Sequence, residues 1–286
     1  MIIAVASGKG GTGKTTVATS LALALASETR VRFLDCDVEA PNAHLFLKPV
    51  FDQRVEATLP IPEIDETICQ LCGTCAEVCQ YNAIAVAGGQ VLVFPELCHG
   101  CGSCTLNCPE GAIGEVPEVL GVLEGGITVE GIRFARGTLN IGQPMAVPVI
   151  RQLKRWQPSH PDETVIVDAP PGTSCPVVEA IRGADFVLLV TEPTPFGLHD
   201  LKLAYELTQE LGLPACVLIN RDGIGDSGVD DFCARSGLPV LLRIPLDREI
   251  AEGLAQGWPL IALQPDYEGL LRSIVKAISS QVKERA

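Results

Sequence analysis

No stretch of the 286-residue sequence approaches the roughly 18 consecutive apolar residues that a membrane-spanning helix needs. Yet 47% of its residues are hydrophobic, enough to bury a sizeable core. No secretory signal precedes the first strand-like run at residues 2–6, so the expectation is a soluble, cytoplasmic protein. Positive charge is scarce as well: 21 Lys and Arg stand against 35 Asp and Glu, a net charge of −14. That balance argues against non-specific nucleic-acid binding by the chain as a whole. In a reducing cytosol the twelve cysteines are not expected to form structural disulfides.

The scarcity is sharpest at residues 59–115, which hold no Lys or Arg but seven acidic residues (Glu63, Asp65, Glu66, Glu77, Glu96, Glu110 and Glu115). Eight of the cysteines fall in the same segment, in two runs of one pattern. Cys69-x2-Cys72-x2-Cys75-x3-Cys79 is followed by Asn82-Ala83-Ile84; Cys98-x2-Cys101-x2-Cys104-x3-Cys108 is followed by Gly111-Ala112-Ile113. This is an internal duplication with the spacing of bacterial two-cluster ferredoxins. In that arrangement three cysteines of one run and the fourth of the other share a cubane. One [4Fe-4S] cluster is therefore assigned Cys69, Cys72, Cys75 and Cys108, and the second Cys79, Cys98, Cys101 and Cys104. Two structural zinc sites are the rival reading, since thiolates also suit Zn²⁺, although zinc modules rarely use two such runs. The first run departs from the pattern at Cys79-Gln80, where ferredoxins commonly place Pro; no ligand is lost. His99, between ligands, is expected at the surface. Carboxylates without countercharge predict low cluster potentials, and the acidic face suits a basic redox or client partner.

Outside this segment the sequence alternates strand and helix. Apolar runs at 2–6, 31–34, 165–167, 186–190, 216–219 and 240–244 lack polar alternation, as strands buried on both faces should. Helical patterns at 15–27, 198–211, 229–236 and 248–256 separate most of them. The prediction is an α/β fold with a doubly wound, mostly parallel sheet. Gly-rich residues 116–148 read as a hairpin returning to it. The expected organisation is one discontinuous domain, 1–58 and 116–286, with a small inserted α+β domain at 59–115.

Gly8-Lys9-Gly10-Gly11-Thr12-Gly13-Lys14-Thr15 fits the P-loop pattern between a strand and a helix. Its glycines turn backbone N–H groups toward phosphate oxygens at a helix N-terminus. Lys14 is expected to bridge the β- and γ-phosphates, and Thr15 to ligate Mg²⁺. A tight glycine turn with no ligand is the bland alternative. With Lys9, the stretch from Ser7 to Thr16 resembles the deviant Walker A motif of the MinD/ParA class of P-loop ATPases. That resemblance implies a nucleotide-dependent homodimer in which Lys9 reaches the partner's phosphates. It further implies that Asp37, in a switch segment Asp35-Cys36-Asp37 with Asn42 nearby, positions the attacking water. Asp168, in a Walker B-like run ending Pro170-Pro171-Gly172, would hold Mg²⁺ through water; Asn220 and the region of Pro245 would contact the base. Singly, such Asp and Asn residues are commonly caps or turns. Each here directly follows a strand-like run, however, so one fold brings all of them to the sheet edge where α/β ligands bind.

The whole layout resembles MinD-superfamily ATPases carrying an inserted two-cluster ferredoxin domain. It implies an ATPase, slow unless dimerised or partnered, that couples nucleotide state to electron transfer through two clusters. Alternatives are an iron–sulfur cluster carrier or assembly ATPase, and a positioning ATPase of MinD type with a cluster-based sensor. Against the carrier, Mrp-type proteins use a C-terminal Cys-x-x-Cys, and only Cys233 lies in that region here. Cys36, Cys216 and Cys233 are expected in the core. Cys175 follows Asp168 at the offset of a cluster ligand in the nitrogenase iron protein, but packing is its default role. A helical stripe of Leu270, Leu271, Ile274, Val275, Ile278 and Val282, with Arg272, Lys276 and Lys283 elsewhere, is either a last helix packed on the sheet or a membrane-seeking tail; packing is favoured and membrane association is not expected.

Overall fold

The computed structural model describes the chain except for residues 157–159, 161 and 286, and its side chains as far as residue 279. Eleven strands are described: β1 (Ile2–Ala6), β2 (Arg30–Asp35), β3 (Val50–Ile64), β4 (Ile84–Ala87), β5 (Gln90–Val93), β6 (Ile113–Ile127), β7 (Arg133–Leu139), β8 (Glu163–Asp168), β9 (Phe186–Thr191), β10 (Ala215–Asp222) and β11 (Val240–Pro245). Nine form one sheet in the order β11-β10-β9-β1-β8-β2-β7-β6-β3. All pairings from β11 to β7 are parallel; β6 runs antiparallel to both β7 and β3. The doubly wound α/β fold is as the sequence predicts.

The central parallel strands β1 and β9 are almost wholly apolar because helices cover both faces. Along β1, Ile3 and Val5 join one apolar layer, while Ala4 and Ala6 join the other. Helix Lys14–Leu25 and the last helix, Asp266–Arg285, build the first layer; helices Val147–Trp156, Cys175–Ile181, Pro195–Glu210 and Gly228–Ser236 build the second. Leu271, Ile274, Val275 and Ile278 are buried in the layer that this helix shares with helix Lys14–Leu25, so that part of the C-terminal stripe packs inward, whereas Leu270 is exposed and does not join it. Val282 and Lys283 lie outside the described side chains. Among the described residues no helix is long and apolar enough to cross a membrane. Cys36, Cys216 and Cys233 sit in the core, where burial pushes their thiols upward in pKa.

The hairpin expected at 116–148 is present as β6–β7. Its partner β3, which the sequence pattern did not reveal, is an edge strand of 15 residues, about 50 Å long. Strand β7 pairs with β6 only as far as Gly121. Seven further β3–β6 pairs, Thr58↔Val119 through Ile64↔Ile113, leave the sheet as a two-stranded ribbon. Positions 59 and 115 fall inside this ribbon, so the cysteine segment grows from the sheet itself. At its tip lie helices Thr74–Glu77 and Ser103–Leu106 and the β4–β5 hairpin, around a small core of Cys75, Ile84, Cys104 and Ile113.

Candidate functional site

The loop between β1 and helix Lys14–Leu25 opens onto a cleft of about 430 Å³ at the carboxyl edge of the sheet. Lys9, Gly10, Gly11, Thr12, Gly13, Lys14, Thr15 and Thr16 line it, joined by Asp37 and Asn42 from beyond β2, Asn220 from β10 and Pro245 from β11. Residues drawn from all along the sequence thus meet on one edge, as the strand-end argument requires. Phe46, Leu246, Ile250, Ala251 and Leu254 add an apolar wall that the motifs did not reveal.

Two predicted residues lie behind this surface. A side chain at Gly8 would place its Cβ 2.1 Å from the Asp200 carbonyl oxygen, so only glycine lets the loop approach helix Pro195–Glu210. Asp168 is fully buried beneath the loop. Its Oδ2 accepts a 2.6 Å hydrogen bond from the Thr15 hydroxyl, and its Oδ1 lies 3.5 Å from Lys14 Nζ without hydrogen-bond geometry. Burial raises the Asp168 pKa, while Lys14 and Thr15 oppose the rise. Within the site, Asp168 Oδ1 and Thr12 Oγ1 are buried without a hydrogen-bond partner among the described residues, which suits a site completed by a hard cation and its water.

Asp35 does not reach the cleft. It accepts from the Ala43 and Asp37 amides at 3.0 and 3.3 Å, shaping the loop that presents Asp37. Burial, with Asp168 close by, pushes its pKa up to about 8. Burial also raises Asp37, against the pull of Lys14. Asn220 turns its amide to the Thr12 carbonyl at 2.7 Å, and a Cβ on Gly13 (φ +90°) would meet that amide at 2.3 Å. Beyond it, Lys9 Nζ lies 3.2 Å from Glu192 Oε2, and Arg221 pairs with the other oxygen of the same carboxylate. Sequence reading singled out neither Glu192 nor Arg221, although both also follow strand-like runs.

On the ribbon's tip, the cysteines divide as the spacing predicts. Cys69, Cys72, Cys75 and Cys108 line one small cavity; Cys79, Cys98, Cys101 and Cys104 line another. Cys75, Cys98 and Cys104 are buried, whereas Cys72 and Cys101 are exposed. The duplication extends to the backbone: Leu71 and Gly100, Gly73 and Gly102, and Asn82 and Gly111 all take positive φ in matched positions. The Ala83 and Ala112 amides each donate to the sulfur four residues earlier, Cys79 and Cys108, at 3.3 Å. Among the described residues, no three His, Cys, Asp or Glu converge closely enough to hold a single metal ion. His99 stacks on the partly exposed ring of Tyr81 at 3.8 Å beside the second cavity. Cys175 is exposed at the start of its helix, away from both cavities' linings.

Comparison with known proteins agrees with this architecture. The chain is 31% identical over 263 residues to an uncharacterised protein of Methanocaldococcus jannaschii, covering 90% of each. It is 24% identical over 313 residues to a protein of Synechocystis named iron–sulfur cluster carrier protein, covering 100% of this chain and 72% of that one. Among solved structures, the septum site-determining protein MinD of Pyrococcus horikoshii, complexed with Mg-ADP, superposes with a TM-score of 0.58 at 21% identity, covering 98% of both chains. Residues 3–260 match the CbiA family, described as the CobQ/CobB/MinD/ParA nucleotide binding domain, and the chain belongs to that family as a MinD/ParA-type P-loop ATPase domain.

Proposed function

We propose that this chain is an ATP-dependent iron–sulfur protein that hydrolyses MgATP in the cleft and carries two [4Fe-4S] clusters at the tip of its ribbon. The observation carrying this reading is the gathering of eight cysteines into two sets of four around separate cavities, at the tip of two strands rooted in the nucleotide-binding sheet. A cubane presents four irons, one per thiolate, over a wider span than a single Zn²⁺; four sulfurs around a cavity rather than a point favour it.

In the cleft, Lys14 and the loop amides from Gly10 to Thr16 neutralise the β- and γ-phosphates. Thr15 and Asp168 hold Mg²⁺, which supplies charge neutralisation at the phosphates when bound. Asp37, freed of most solvent, orients the attacking water. Asn220 and Pro245 border the base, while Phe46 and Leu246 cover its apolar faces. Lys9 serves the phosphates of a second copy in a nucleotide-dependent homodimer.

Carriage of clusters to a client is the role best supported, because several relatives spanning most of this chain are named iron–sulfur cluster carrier proteins. A basic client suits the acidic tip. Electron transfer is the second reading, favoured by the crossed ligands: Cys79 and Cys108 each tie one run to the other's cavity, which resists release. The test is anaerobic purification, iron counting, and incubation with an apo-acceptor with and without MgATP. ATP-dependent loss of iron to the acceptor supports carriage. Retained clusters whose reduction potential shifts with MgATP support electron transfer. A chain without iron or without ATP turnover overturns the proposal.

A further inference from the structure

Glu192 follows β9 at the cleft rim and is only 6% exposed. Its two oxygens serve two cations from different parts of the chain, Lys9 of the phosphate loop and Arg221 of β10. Arg221 adopts φ +55°, a left-handed conformation unfavourable for a residue with a Cβ, at an irregularity in the β10–β11 pairing. That conformation is retained where it delivers the guanidinium to Glu192. Both cations line the cleft, yet both are committed to a carboxylate instead of facing it unpaired. A polyphosphate, in this cleft for Arg221 and in a second copy's cleft for Lys9, competes with Glu192 for them, since phosphate oxygens bind the same donors.

We propose that Glu192 is a positioning residue that parks Lys9 and Arg221 away from the phosphates, and that nucleotide binding exchanges this carboxylate for phosphate oxygen. The inference rests on reading the cleft as a site for nucleoside triphosphate. Glu192 neutralises one of the two rim charges. The exchange turns that pair into a cost that only a highly charged ligand offsets, so triphosphate gains more than diphosphate from its removal. Of the other carboxylates near the cleft, Asp168 is engaged with Lys14 and Thr15, and Asp247 with the amides of Glu249 and Ile250.

The test is calorimetric titration of MgATP and MgADP into the full chain and its variants. Glu192→Gln is expected to tighten MgATP about threefold to tenfold, the coupling usual for residues in direct contact, and MgADP less. In a K9M/R221M chain the same substitution is expected to change affinity by no more than about twofold, because the groups it releases are gone. Equal tightening in both backgrounds means a general charge effect and overturns the inference, as does unchanged or weaker binding by Glu192→Gln. Should Glu192→Gln not fold, Glu192→Asp, which keeps the charge but shortens its reach, is expected to tighten MgATP to a smaller extent; no change there is equally fatal. A wild-type chain that binds no MgATP overturns the nucleotide reading, and this inference with it; binding with additive effects overturns this inference alone.

Discussion

Gln152 and Thr58 are bonded twice: the Gln152 amide donates to the Thr58 carbonyl at 2.8 Å, and its side-chain oxygen accepts from the Thr58 amide at 3.2 Å. The pairing register of β3 shifts between Ala57 and Thr58, so a side chain takes the place of a strand neighbour where the ribbon leaves the sheet. On the same helix, Arg151 pairs with Glu179, and Lys154 donates to the carbonyls of Glu179, Ala180 and Arg182 at 2.7, 2.9 and 2.7 Å. Helix Val147–Trp156 therefore ties the ribbon to the helix that follows the Asp168 loop. Gln152→Leu, which strands both backbone groups of Thr58, is expected to cost about 1–3 kcal/mol in unfolding free energy. Denaturant unfolding measures the loss, and faster amide exchange at Thr58 and its ribbon neighbours localises it. Unfolding unchanged within error, with Thr58 still protected, would remove Gln152 from this role.

Lys14 and Asp168 set up a second expectation. Asp168 is fully buried, and Lys14 is the cation beside it. Lys14→Ala should abolish measurable MgATP binding and also destabilise the empty protein, because it leaves a buried carboxylate without countercharge. The added substitution Asp168→Asn should restore much of the stability while leaving binding lost. Thermal unfolding of the four chains in the absence of nucleotide separates the two effects. Failure of Asp168→Asn to recover stability would show that Lys14 supports the loop by other means.

The cleft was largely legible in the sequence because its parts are backbone-dictated: glycines for the turn, a lysine at the helix start, and side chains placed just after strands. What was not legible were pairings between distant segments. Nothing local marks Glu192 as the partner of Lys9, because the contact spans 183 positions created only by sheet order. Strand β3 escaped because its residues 50–56 are exposed and mixed in polarity, and Pro60 and Pro62 break the usual strand signal. Its prolines are tolerated because β3 is an edge strand and then one side of a free ribbon. The cysteine spacing, by contrast, carried the division into two sets unaided.

Asp35 predicts a pH dependence. Its folded pKa is raised to about 8 from an unfolded value of 3.8, mainly through burial and then through Asp168. The folded state therefore holds this proton more tightly than the unfolded chain. Its contribution to stability is full below the unfolded pKa and is lost as pH rises through the folded one. Nucleotide-free protein should accordingly lose stability between about pH 4 and pH 8 from this group, with most of the loss complete by pH 9. Asp35→Asn, which still accepts one of the two amide bonds, should flatten that slope. Melting temperatures measured in matched buffers across this range decide it: parallel profiles for wild type and variant would mean that Asp35 stays ionised throughout.

The crossing of the cysteines between the two cavities gives a test that needs no functional assay. By sequence, Cys79 belongs with Cys69, Cys72 and Cys75; by position it lines the cavity of Cys98, Cys101 and Cys104. Cys108 makes the reverse crossing. Replacing Cys79 or Cys98 by serine should then damage the same cluster, so the double variant Cys79→Ser/Cys98→Ser should retain about four of eight irons, as each single variant does. Cys79→Ser/Cys69→Ser, although confined to one run, should strip both clusters. Anaerobic iron and sulfide analysis with EPR of the reduced protein reads the outcome directly. If ligation followed the sequence runs instead, the two double variants would exchange results. A mononuclear zinc protein would give neither pattern, because its metal content would be zinc and its reduced form silent.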